Sequence, residues 1–258
     1  MSLNLSDKTY VIMGVANKHS IAWGIAQALD QAGATLIFTI MSDRFKKSLT
    51  KLTAELEHNK EPMIVNCDVS EDQDVENAFK EIKGKVDGID GVVHAIAFAN
   101  KEDIEGRYVD TSRDGFLHSL NISAYSLTKV ANESKELMNE GGSIVTLTYL
   151  GGERAVPNYN LMGVSKSALE SSVRYLAQDL GQDGIRVNAV SAGPIRTLSS
   201  KAVGDFSTIL SEIEKRAPLK RNIDQIEVGN SVAFLLSDLA SGVTGEVLHV
   251  DSGYHIVG

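Results

Sequence analysis

The 258-residue chain is short of several things, and each shortage closes off a class of protein. It has one cysteine, Cys67, so no internal disulfide can hold it together; the fold must rest on a hydrophobic core, and a reducing compartment suits it. That thiol ends the apolar run MIVNC and reads as a buried strand residue. Cations are scarce, with 25 Lys and Arg against 34 Asp and Glu, a formal net charge of -9 and a pI of about 5.2. This argues against a nucleic-acid partner, which needs a basic face to displace counterions from phosphates. No run of ~18 apolar residues occurs, and MSLNLSDKTYVIMG lacks a basic segment followed by an apolar one. Neither a membrane span nor a secretory leader is expected, and the expected setting is the cytoplasm. Only four prolines are present, and no Pro/Ser-rich linker, repeat or low-complexity tract divides the chain. With 43% hydrophobic residues it can bury a full core, so residues 1–258 are expected to form one domain.

What is present is an alternation of short apolar runs with longer stretches of helical period. TYVIMG (9–14) precedes SIAWGIAQALDQAG (20–33); then come TLIFTI, MIVNCD, GVVHAIAFA, SIVTLT, IRVNAVSAG and EVLHVD, with amphipathic stretches near 44–57, 71–86, 112–139, 157–181 and 224–237. Runs without polar alternation are buried on both faces, so the seven strands should form a parallel sheet covered by helices on each side. The expected fold is α/β, a Rossmann-type doubly wound sheet with ligands outside the carboxyl ends of its strands. Chemistry is therefore expected at 14–24, 41, 67–69, 95–99, 149 and 192–199. Residues 197–218 are longer than a turn requires and read as a lid or binding segment at that edge.

GVANKHSIAWG, from Gly14 to Gly24, follows the first strand and opens the first helix, where free backbone N–H groups and the helix dipole favour a pyrophosphate. It departs from the G-x-x-x-G-x-G turn of short-chain dehydrogenases: Ser20 and Ala22 fill the later two positions after two extra residues. Small side chains still admit a phosphate, and the Ser20 hydroxyl can donate to it. At the end of strand three, Asp68 can accept from an adenine amino group and Val69 can hold the ring, or Asp68 can cap the next helix. At the end of strand two the ribose selector is Met41, which has neither an acid for a 2'-hydroxyl nor a cation for a 2'-phosphate; Arg44 and Lys46 lie beyond it. NADH is favoured over NADPH on this reading.

The remaining signal is in NYNLMGVSK (158–166), where six residues separate Tyr159 from Lys166. Ordinary short-chain enzymes use Y-x-x-x-K with a serine thirteen residues before the tyrosine. Counted back from Lys166, those positions are Met162 and Tyr149, so both usual groups are replaced. Tyr159 lies within one helical turn of the ordinary position, on a similar face. Pro157 and Asn158 read as helix-start residues, His94 as a satisfied core histidine and Trp23 as packing.

This arrangement resembles the type I enoyl-[acyl-carrier-protein] reductases of bacterial fatty-acid synthesis, a divergent branch of the short-chain dehydrogenase/reductase superfamily. The carriers are GVANKHSIAWGIA, CDV, DGVVHAIAFA, TYLGGERAVPNYNLMGVSK, VNAVSAGPIRTLSS and GEVLHVDSGY, in order along nearly the whole chain. The resemblance implies hydride transfer from NADH or NADPH to C3 of a trans-2-enoyl thioester. Tyr159, Tyr149 and Lys166 would serve the catalytic site, with no metal. Gly14, Ser20, Ile21, Met41, Asp68, Val69, Ile96, Lys166, Ile195, Arg196, Thr197, Leu198 and Ser199 would hold the cofactor. Ala99, Tyr149, Tyr159 and Phe206 would contact substrate. An enoyl-acyl carrier protein as substrate and a homotetramer are implied in the same way, although the acidic partner finds only Lys201 within 199–212, with Lys215, Arg216, Lys220 and Arg221 further on.

Overall fold

The computed structural model describes residues 3–197 and 206–257, with the side chain of Phe206 excepted. Seven strands, β1 (Thr9–Met13), β2 (Thr35–Ile40), β3 (Met63–Asn66), β4 (Ile89–His94), β5 (Met138–Thr148), β6 (Arg186–Ala192) and β7 (Val247–Val250), form one sheet in the order β3-β2-β1-β4-β5-β6-β7. Every pairing is parallel. The order reverses between β1 and β4, which opens a crevice at the carboxyl edge between them.

The apolar runs are continuous because alternate residues feed two cores. Tyr10, Ile12, Leu36, Phe38, Val93, Val145 and Val190 pack on one face with helices α1 (Ile21–Gln31), α2 (Lys46–Thr53) and α9 (Gln225–Leu236). Val11, Met13, Ile37, Val65, Val92, Ile144 and Val187 pack on the other with α3 (Asp72–Lys83), α6 (Ser126–Ser134) and α7 (Asn160–Leu180). Trp23 is buried in the first core, as expected of a packing residue. Among the described residues no helix is long and apolar enough to cross a membrane.

Three elements differ from the sequence pattern. The stretch 112–139 is not one helix: α5 (Arg113–Leu120) passes through a π-helical turn at Asn121–Tyr125 into α6, and β5 already begins at Met138. A short helix α4 (Lys101–Ile104) interrupts what reads as loop. The segment 197–218, read as a lid from the sequence, contains α8 (Phe206–Arg216), while 198–205 lie outside the described residues.

Candidate active site

Each strand of the crevice stops at the residue before a predicted ligand position. β1 ends at Met13 before Gly14, β2 at Ile40 before Met41, β4 at His94 before the 95–99 loop, β5 at Thr148 before Tyr149, and β6 at Ala192 before the segment carrying Ile195, Arg196 and Thr197. β3 ends one residue earlier, at Asn66, with Cys67 buried between it and Asp68.

Gly14 adopts φ +97°, and a Cβ there would stand 2.1 Å from the Ala95 carbonyl oxygen, so the turn out of β1 passes where no other residue fits. The loop is then closed by Ser20, whose Oγ accepts from the N–H groups of Ala16 and Asn17, both at 3.1 Å. Its hydroxyl proton stays available for a phosphate. Ser20 is the N-cap of α1, and Ile21 begins the helix, whose first N–H groups have no partner within it. Asp68 does not cap α3; its Oδ1 accepts from Ser70 N at 3.0 Å and Ser70 Oγ at 2.7 Å, and among the described residues Oδ2 has no hydrogen-bond partner. Val69 beside it is buried. Met41 is 47% exposed, and the Arg44 guanidinium lies over the Phe45 ring at 4.6 Å. Ile96 packs against the second core, and the loop through Ala99 is braced by Ser123, whose Oγ accepts from Phe98 N at 2.9 Å. Leu198 and Ser199 lie outside the described residues, as does the side chain of Phe206.

The two tyrosines meet, and the lysine is anchored to the strand that ends at Tyr149. The rings of Tyr149 and Tyr159 meet edge to face, centroids 4.9 Å apart at 71°, an arrangement worth about 0.5–1.5 kcal/mol beyond area burial. Burial pushes the Tyr149 phenol up to about 12, with Tyr254 and Asp251 adding to it. Tyr159 is lifted further, first by burial and then by Tyr149 and Glu170, so both hydroxyls keep their protons at neutral pH and act as donors. Lys166 is buried, its Nζ donating to Leu147 O at 2.7 Å; burial draws its ammonium down to about 8, against the pull of Glu170. Met162, at the ordinary tyrosine position, is buried and offers no proton.

Why Tyr159 sits where it does is local. It is the N-cap of α7, so Pro157 and Asn158 precede the helix instead of starting it. Asn158 and Asn160 have φ of 60° and 32°, a region asparagine tolerates better than most residues, and Asn160 Nδ2 donates to Ile104 O at 2.7 Å. Gly151 makes room for the ring: a Cβ there would stand 2.4 Å from Tyr159 Cδ1. Sequence reading missed Asn160, Gly151 and the buried Glu170. The asparagines flanking Tyr159 and the glycine pair after Tyr149 were the available signals.

His94 is a core residue as read: fully buried, bonded to Thr146 Oγ1 at 3.1 Å and Ser126 Oγ at 2.8 Å, and held neutral by burial and Lys166, its pKa down to about 3.

A family model described as enoyl-(acyl carrier protein) reductase matches residues 14–255. The chain belongs to the enoyl-(acyl carrier protein) reductase family. The enoyl-[acyl-carrier-protein] reductase [NADPH] FabI of Staphylococcus aureus (strain MRSA252) is 62% identical over 255 residues, 99% of both chains. The corresponding [NADH] FabI of Bacillus cereus is 61% identical over 254 residues, 98% of this chain and 99% of its own. A crystal structure of the Bacillus cereus enoyl-acyl carrier protein reductase with NADP+ and indole naphthyridinone superposes with a TM-score of 0.97 at 61% identity, covering 100% of each chain. The enoyl reductases most similar to this one thus divide between the two nicotinamide donors, and overall identity does not choose between them.

Proposed function

We propose that this enoyl reductase saturates the C2–C3 double bond of trans-2-enoyl thioesters borne on acyl carrier protein, using NADH or NADPH, in bacterial type II fatty-acid synthesis. The observation that carries the mechanism is the edge-to-face Tyr149–Tyr159 pair, with Lys166 tied to Leu147 O two residues before Tyr149 and Met162 buried where a ketone reductase has its tyrosine. In ketone reduction the proton donor stands beside the carbon that receives hydride. In enoyl reduction hydride reaches C3 and charge gathers on the thioester carbonyl oxygen, three bonds from C3 and two further than in a ketone, so the donor must be displaced with it.

The crevice fits a dinucleotide. Gly14 leaves a cradle that a Cβ would fill, Ser20 offers its proton, and Asp68 Oδ2, without a partner among the described residues, is assigned to the adenine side. Ile21, Met41, Val69 and Ile96 flank that half; Ile195, Arg196 and Thr197, with Leu198 and Ser199 by resemblance, flank the nicotinamide. A reduced nicotinamide bound there supplies the hydride for C3. Tyr159 donates to the developing enolate oxygen, Tyr149 supports the same atom, and Lys166 holds the ribose hydroxyls while keeping positive potential near the phenols. Protonation at C2 completes the product; Ala99, with Phe206 by resemblance alone, is assigned to the acyl chain.

We read residues 1–258 as one reductase domain, with 197–218 as its lid and the cytoplasm as its setting. The carrier-protein role rests on family membership and not on a basic patch. Arg221 is held by Glu227 at 2.6 Å, Lys220 donates to Lys215 O, and Lys215 faces Glu212. NADH is the favoured donor, because Met41 offers a 2'-phosphate no charge. A spectrophotometric comparison tests all of this at once: both donors against crotonyl and acetoacetyl thioesters. Oxidation of the nicotinamide with crotonyl thioester, faster with NADH, is expected; fast acetoacetyl reduction without enoyl activity would overturn the assignment.

A further inference from the structure

Two opposite charges are buried one helical turn apart on α7, Lys166 and Glu170, each 6% exposed. Taking an ion out of water costs several kcal/mol unless it is bonded or paired, as an order of magnitude. These two grip consecutive residues of one strand. Lys166 Nζ donates to Leu147 O at 2.7 Å, and Glu170 Oε1 accepts from Thr148 Oγ1 at 2.6 Å. The next residue is Tyr149. The same carboxylate floors the turn beyond it, since a Cβ at Gly152 would lie 2.4 Å from Oε1, and Ser167, between the two charges on α7, donates its hydroxyl to Gly152 O at 2.5 Å.

Resting on the reading of the two tyrosines given above, we infer that Glu170 is a positioning residue of this reductase, which fixes the Tyr149 end of β5 through Thr148. The other groups facing the carboxylate are Glu153 from the turn, Arg174 from α7 and His249 from β7, with Tyr159 also feeling its charge. Burial lifts the Glu170 carboxyl above the usual range, and the Thr148 hydroxyl works against that. Lys166, brought to about 8 by burial, loses its proton as pH rises through that value, and the Glu170 charge delays the loss.

Substitutions at both ends test the clamp. Glu170→Leu removes the acceptor of the Thr148 hydroxyl, whereas Glu170→Gln keeps a carbonyl oxygen for it; kcat should fall about tenfold in Glu170→Leu and less in Glu170→Gln. Thr148→Val keeps the charge and removes the clamp; kcat should fall about tenfold through misplacement of Tyr149, while the KM for the nicotinamide and the alkaline limb stay put. Thr148→Ser should restore kcat. Wild-type kcat in Glu170→Leu, or Thr148→Ser as slow as Thr148→Val, overturns the inference; if Glu170→Leu does not fold, the threonine pair decides. Tyr159→Phe and Lys166→Ala run alongside: wild-type turnover in both would bring down the site reading itself, whereas impairment of both with wild-type behaviour at 148 and 170 would bring down this inference alone.

Discussion

At the scale of single residues, the site works by keeping protons where they are needed. The phenol of Tyr159 is lifted out of the titrating range by its surroundings, so it is a hydrogen-bond donor throughout the physiological range and not a phenolate. Tyr159→Phe removes that donor while leaving the ring edge to face with Tyr149. Turnover of an enoyl thioester should fall by about 10²-fold with cofactor affinity nearly unchanged, measured by steady-state kinetics and a nicotinamide titration. Tyr149, Tyr159 and Lys166 were legible because their spacing is unusual. Ser20 was legible as a small residue at a phosphate turn, but not as the hydroxyl that folds the loop onto itself. Glu170 was invisible for a physical reason: a glutamate four residues after a lysine on an amphipathic helix reads as an ordinary surface pair, and only the packing of the 149–152 turn buries it.

At the scale of elements, strands read more truly than helices. A strand buried on both faces leaves an uninterrupted apolar run, and all seven runs became strands of the sheet. The 112–139 stretch misled because a π-helical turn at Asn121–Tyr125 adds a residue to the coil without breaking the apolar pattern, and because the polar MNEGG start of β5 has no strand signal. The four-residue α4 is too short to leave a period. The junction of β5 and α7 is the element on which the site depends. Gly151 lies against Tyr159, and Gly163 lies against the Gly151 carbonyl, where a Cβ would stand 2.7 Å from the oxygen. Gly151→Ala should displace the Tyr159 ring, costing about 1–3 kcal/mol of stability by overpacking and a larger share of activity than of fold. Chemical denaturation set beside kcat checks it; equal activity at lowered stability would contradict the packing argument.

At the scale of the whole molecule, the order β3-β2-β1-β4-β5-β6-β7 gathers stretches from most of the chain at one edge. That convergence was legible from the alternation of runs and periods. The homotetramer that the family resemblance implies is our proposal for the assembled protein. Light scattering of the purified protein should give the mass of four 27.8 kDa chains, and a monomer mass at assay concentration would refute it.

The buried Cys67 has a use of its own. Burial, with Asp74 and Asp68 nearby, pushes its thiol up to about 12, so an alkylating reagent finds almost no thiolate to attack while β3 stays packed. As the sole sulfhydryl in the chain, it is a ready-made stopwatch: each labelled molecule marks one opening of that corner, and the clock needs no engineered tag.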